Sequence, residues 1–241
     1  MKSYTFGICI ILSGLIFSCE TRDFGSHQER EESFSNISHL VLNGNFETEI
    51  IQGDEEKLIL SGPEELVQAV QVKQTDERLE ISLKEEMEFV LNDESVDLIL
   101  TVQNLSILDI AGAGSFHIQP YLQTNALKIN CSGAGKMDFN IEADEVHAVF
   151  SFVGKATFKG ATDNFHLENS GIGEIIAAEF SAKNVDLVTS GIGNVEIFAS
   201  ETLAMDVSGI GKVKHSGNAE ITRRNVSGIG DVEKVESKQN Y

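Results

Sequence analysis

One short phrase recurs through the second half of the chain, and its period limits the fold more than any other feature. It reads Ala111-Gly112-Ala113-Gly114, Ser132-Gly133-Ala134-Gly135, Ser151-Phe152-Val153-Gly154, Ser170-Gly171-Ile172-Gly173, Ser190-Gly191-Ile192-Gly193, Ser208-Gly209-Ile210-Gly211 and Ser227-Gly228-Ile229-Gly230. The starts lie 21, 19, 19, 20, 18 and 19 residues apart. A phosphate-cradling glycine loop occurs once, between a strand and a helix, so seven spaced copies exclude that reading. A period near 19 residues, with neither helical spacing nor Leu-x-x-Leu-x-Leu patterning, matches one turn of a parallel β-solenoid.

Apolar and polar residues alternate on both sides of each phrase, and period two means strand. Before it come Leu127, Ile129 and Cys131, then Val146, Ala148 and Phe150, then Val185, Leu187 and Thr189. After it, Phe116 and Ile118, Met137 and Phe139, Ile175 and Ala177, and Val195 and Ile197 hold equivalent places. The middle residues, Ala113, Ala134, Val153, Ile172, Ile192, Ile210 and Ile229, form a third aliphatic row. Three such rows predict an enclosed core. The expected class is therefore all-β: a parallel β-helix, single-stranded, about 19 residues per coil, with seven Ser-Gly-x-Gly corners and a strand-rich N-terminal portion. Stacked at about 4.8 Å, seven coils give a rod roughly 30 Å long.

The thirteen phrase glycines are read as corner residues that need positive φ or a close approach between coils. Phe152 breaks the pattern and requires a corner that accepts a side chain. Thr222, Arg223, Arg224 and Asn225 replace aliphatics in the last coil, as a polar end cap would.

Ahead of the repeat, residues 37–103 lack the phrase but alternate as strands, and Glu64 to Val70 reads as a helical turn or two with Pro63 at its first position. Most of the acid lies here. Residues 20–100 carry 21 acidic and 6 basic side chains, within a chain of net charge −20, which argues against a nucleic-acid partner. Residues 1–18 read as a signal peptide, with Lys2 followed by an apolar run from Phe6 to Phe17, too short to span a bilayer. The run ends Leu15-Ile16-Phe17-Ser18-Cys19, which resembles a bacterial lipobox, so Cys19 is the expected site of lipid attachment. Residues 19–36 then read as an acidic tether, and residues 104–241 as the solenoid repeats with their polar C-terminal cap. Cleavage would leave Cys131 without a disulfide partner.

Together the serial Ser-Gly-x-Gly phrases, the strand-rich front and the lipobox resemble the auto-transporter adhesin head family, also called GIN domains, common in lipoproteins of Bacteroidetes. The resemblance covers about Ser38 to Val235. It implies a β-helical extracytoplasmic domain and carries no catalytic residue pattern. Ala111 for Ser and Phe152 for Gly depart from the phrase.

Calcium-binding solenoids repeat Gly-Gly-x-Gly-x-Asp, whereas here the position after the second glycine reads Ser115, Lys136, Lys155, Glu174, Asn194, Lys212 and Asp231, which is no ligand ladder. Glu85, Glu86, Glu88, Asp93, Glu94 and Asp97 read as a solvated acidic face. His147 and His166 each lie four residues before a phrase and should stack on one outward row, between Lys128 and Asp186. Without a third ligand at defined spacing no metal site is predicted, and no cofactor. Cys131 reads as a small core residue. Asp206 and Glu168 are the nearest approach to a paired-carboxylate hydrolase or lyase, but Val188 lies between them, and repeats this short leave no loops for a cleft.

The sequence therefore predicts a non-enzymatic envelope protein, held at the membrane by an N-terminal lipid, whose solenoid contacts a protein or glycan. Glu20 after the cysteine favours the outer membrane, and the absence of Trp disfavours strong sugar stacking. A self-associating structural component and a β-helical carbohydrate-active enzyme are the alternatives.

Overall fold

The structure, a computed structural model, describes residues 24–84 and 95–236. The expected signal peptide, Cys19, and Glu85, Glu86, Glu88, Asp93 and Glu94 lie outside the described residues. In chain order the elements are β1 (His27–Ser33), β2 (His39–Gln52), β3 (Lys57–Pro63), α1 (Glu64–Ala69), β4 (Val70–Thr75), β5 (Arg78–Leu83), β6 (Val96–Val102), β7 (Ile107–Ile118), β8 (Leu122–Cys131), β9 (Ala134–Phe150), β10 (Val153–Asn169), β11 (Ile172–Thr189), β12 (Ile192–Val207), β13 (Ile210–Ser216), β14 (Glu220–Val226) and β15 (Ile229–Lys234).

The chain is a β-solenoid of about seven turns whose parallel bridges lie about 19 residues apart. Strands β9 to β12 each begin inside one phrase, bend near their middle and end at the next, so one long strand supplies both walls of a coil. The phrases align in strict register: Gly154 pairs with Gly135 and with Gly173, Gly193 with Gly173 and with Gly211. Alternation does the rest. One wall buries Met137, Phe139 and Ile141, the other Val146, Ala148 and Phe150, and the same positions recur coil by coil. Phenylalanines stack through the centre, with ring centroids 5.5 Å apart for Phe116 and Phe139 and 4.9 Å for Phe139 and Phe158. Each buried Leu, Ile, Val or Phe contributes about 1.5–3 kcal/mol, and aromatic pairs about 0.5–1.5 kcal/mol beyond that.

The middle residues of the phrases do not join this core. Alternation runs unbroken through the phrase, so with Cys131 and Met137 inward, Gly133 and Gly135 face in and Ala134 faces out. Val153, Ile172, Ile192, Ile210 and Ile229 are 54%, 53%, 49%, 49% and 79% exposed, which corrects the expected third inward row. Phe152, at the inward position elsewhere held by the first glycine, is buried instead.

The front of the domain carries one further strand in register with the repeat, and then a closure. Strand β2 runs parallel to β7 with Gly44 opposite Gly112, so Asn43-Gly44-Asn45-Phe46 occupies a phrase position that the sequence pattern did not reveal. Strand β2 also pairs with β5 and β6 in parallel, while β3 with β6 and β4 with β5 are antiparallel. Helix α1 packs Leu66, Val67 and Ala69 into this end of the core. Pro63 is its N-cap, one position earlier than predicted. From Phe24 on the predicted tether is structured: Phe24 is buried, and β1 pairs antiparallel with β3 as an edge strand. Arg30 fixes it by donating to the carbonyls of Val67 and Val70, both at 3.0 Å. With no apolar residue in β1, nothing in its sequence marks a strand, and an edge strand needs only one covered face.

Candidate binding surface

Because every coil is in register, each outward position becomes a line of side chains along the rod. Five of these surfaces matter for function: the aliphatic ridge at the phrase, two lines on the strand walls, the groove at the bends and the open end.

The ridge consists of Ala113, Ala134, Val153, Ile172, Ile192, Ile210 and Ile229, each paired directly with the next. Glycines on either side of each aliphatic, except at Val153, which follows Phe152, make this narrow edge possible. A Cβ on Gly171 would lie 2.1 Å from the carbonyl oxygen of Phe152, and one on Gly173, whose φ is +139°, would lie 1.8 Å from that of Gly154. The first glycine thus permits contact between coils and the second also permits a backbone that L-residues rarely adopt. The serines that open the phrases, Ser132, Ser151, Ser170, Ser190 and Ser208, lie exposed beside the ridge.

On one wall, Asp109, Asn130, Val149, Glu168, Val188, Asp206 and Asn225 form a line in the predicted order. Its carboxylates are occupied. Asp109 accepts from Asn130 at 2.6 Å and lies 2.7 Å from His39 Nε2. Burial opposes its ionisation, yet the Asn130 and His39 hydrogen bonds and the charges of His39 and Arg78 hold it below the usual carboxylate range. Asp206 accepts from Asn225 and from Arg223, each at 2.7 Å, and these also hold it low. On the other wall, His117, Asp138, Thr157, Ile176, Glu196, Lys214 and Glu233 align, with ion pairs of 2.9 Å between His117 and Asp138 and 2.8 Å between Lys214 and Glu196. A glycosidase acid needs a raised pKa, and Asp109, Asp138, Glu168 and Asp206 are all lowered. Asp206 and Glu168 do not converge, since Val188 stands between them in register. Buried Cys131 has its thiol pushed up to about 11 by desolvation, so it is held as an unreactive thiol.

The bends line an open groove of mixed character, whose walls include Gln123, Glu142, Asp163, Lys183, Ala182 and Phe198. Its groups also pair along the rod: Gln123 donates to Glu142 at 3.1 Å, and Lys183 meets Asp163 at 2.6 Å. At the far end, every residue of β14 is exposed, and Ile221 and Val226 are open to solvent there, as is Ile229 in β15. Arg224 takes the place opposite Met205 and reaches the carbonyl of Val232 at 3.4 Å, a polar lid over the last buried layer.

This in-register solenoid with paired glycine corners agrees with the comparisons to known proteins. The family described as "Putative auto-transporter adhesin, head GIN domain" matches residues 35–219. The chain belongs to this family. The GIN-domain fold recurs in a "putative adhesin" from Bacteroides fragilis, at 21% identity and a TM-score of 0.81, covering 87% of this chain and 97% of that one. A "putative lipid binding protein" from Parabacteroides distasonis has 21% identity and a TM-score of 0.66, covering 88% and 97%. A "putative adhesin" from Parabacteroides merdae has 18% identity and a TM-score of 0.61, covering 88% and 97%. At these identities the GIN-domain neighbours establish the fold. No curated protein matches the chain. Among the described residues no helix is long and apolar enough to cross a membrane.

Proposed function

We propose that this GIN domain is a non-enzymatic binding module of the bacterial cell envelope, anchored by lipid on Cys19, that engages a protein or glycan along its ridge. The exposed ladder Val153, Ile172, Ile192, Ile210 and Ile229 carries the reading. Scattered surface aliphatics need no explanation, but five aligned on one edge form a continuous apolar line, which a free surface would not retain for solubility. Serines beside it supply hydroxyls for orientation, and the rigid strands hold the line straight without ordering any loop. The family and the neighbours named as adhesins agree with this.

The test is a binding screen of Asp23 to Tyr241 against glycans, matrix proteins and envelope extracts, with and without calcium, run beside the double variant Ile172→Ser/Ile192→Ser. Both positions are about half exposed, so the variant keeps its fold and its melting temperature. Loss of a reproducible hit in the variant supports the ridge. A hit that survives it unchanged removes the ridge from the reading, and silence across the panels shifts the role to envelope structure.

The second reading is self-association through the open end. The unpaired outer edges of β14 and β15 and the exposed Ile221, Val226 and Ile229 favour it. Sedimentation velocity over a hundredfold concentration range distinguishes them, because end-to-end stacking gives growing species and a ridge binder alone remains monomeric.

A further inference from the structure

His147 and His166 were placed in one row by the repeat, and a third donor then meets them. His147 in β9 pairs with His166 in β10, and their rings lie edge to face, centroids 4.4 Å apart at 78°. Glu168, two residues beyond His166 on the same outward face, brings Oε1 to 3.0 Å from His166 Nε2 and 3.7 Å from His147 Nε2. One donor atom from each of the three residues lies within 4.8 Å of the others. A tetrahedral zinc, with bonds of about 2.0–2.2 Å to nitrogen and oxygen, holds its ligand atoms about 3.4 Å apart. The two nitrogen-to-carboxylate distances bracket that value, and the donor atoms, all within 4.8 Å of one another, must draw together around the ion.

Two further observations point to a ligand. His147 Nε2 is shielded from solvent and makes no hydrogen bond, a lone imidazole nitrogen turned toward the carboxylate. On the opposite side of the second ring, His166 Nδ1 lies 3.5 Å from Asp186 Oδ2, and Asp186 is itself held by Arg223 at 2.5 Å. In the metal-free chain His166 Nε2 hydrogen-bonds Glu168 Oε1, and a bound cation would replace that proton, with the Asp186 carboxylate behind Nδ1 favouring the tautomer that ligates through Nε2. Val149 and Val188 flank Glu168 in register, so no other carboxylate stands beside it on its own line. Lys128 pairs with His147 on the neighbouring coil.

We propose that His147, His166 and Glu168 form a divalent transition-metal site of the zinc class. Two imidazoles and one carboxylate suit zinc over calcium or magnesium, which take oxygen ligands. All three donors stand on stacked strands, so the site is prearranged by register. The fourth position faces outward and accepts water or an anionic group from outside the chain. The inference does not depend on the ridge.

The test is calorimetric titration of zinc into the full chain, purified in detergent without a polyhistidine tag. The expected result is one zinc per chain, weakened at least tenfold by each of His147→Ala, His166→Ala and Glu168→Gln, and about tenfold by Asp186→Asn. His39→Ala, whose ion pair is remote from the site, leaves it unchanged. Circular dichroism confirms that the variants remain folded. Cobalt substituted for zinc should give the intense visible bands of a four-coordinate ion, absent in His166→Ala. No binding by the wild type, or binding that His147→Ala/His166→Ala leaves intact, overturns the proposal.

Discussion

A Cβ at position 173 would lie 1.8 Å from the oxygen of Gly154, at a φ of +139°, so Gly173→Ala meets both a steric and a conformational penalty. Backbone strain of this kind costs about 1–3 kcal/mol before any clash is counted, and we expect a loss of about 3–5 kcal/mol, read from urea unfolding. Phe152 gives the opposite lesson. Restoring the phrase with Phe152→Gly should destabilise by about 3–5 kcal/mol, because the ring is buried and touches Phe150 at 5.1 Å between centroids. A gain in stability from that change would refute the inward placement. The repeat showed that glycine was required at these places, but not which glycine served the backbone angle and which the contact between coils.

At the scale of elements, strands β7 to β13 follow from alternation and period, while the two ends follow from closure. Helix α1 and the antiparallel pairs β3–β6 and β4–β5 cover the front core, and the polar strands β14 and β15 cover the back. The last inward layer contains His215, buried to 7% exposure opposite Ile197. Desolvation, with the nearby charges of Lys234 and Arg224, depresses its pKa below 6.5. The unfolded chain therefore takes up this proton first as pH falls. Stability is full above about pH 6.5 and declines below it, down to the folded-state pKa, where the loss stops growing. Thermal melts from pH 7.5 to 5 should show a decline that His215→Leu lacks; parallel profiles would remove His215 from the account. The predicted tether failed at this scale, since β1 buries too little apolar surface to advertise itself and is held by Arg30 and by pairing with β3.

For the whole molecule, a net charge of −20 opposes association, and lipid on Cys19 would set the local concentration at a surface. Each acyl methylene adds about 0.8 kcal/mol of membrane affinity, so two or three chains on Cys19 would anchor the domain essentially permanently. Cys19→Ala should release the protein to the soluble fraction on cell fractionation, and unchanged retention would contradict the lipid anchor. If the open ends stack, added salt should strengthen association by screening repulsion, with most of the change below about 0.15 M.

The sequence by itself determined the class, the coil length and the rows. Those depend on period and alternation, which one chain displays without reference to any contact, and the outward orders from Asp109 to Asn225 and from His117 to Glu233 were legible for that reason. Tertiary structure decided the direction of the phrase's middle residue. An aliphatic between two glycines looks like core by composition, but unbroken alternation through a tight corner turns Ile172 and Ile192 to solvent. It also decided the meeting of Glu168 with His147 and His166, because the carboxylate belongs to an adjacent line and reaches the imidazoles only through side-chain rotamers. Register is a property of the backbone and can be counted along a sequence, whereas convergence between neighbouring lines depends on angles set by packing.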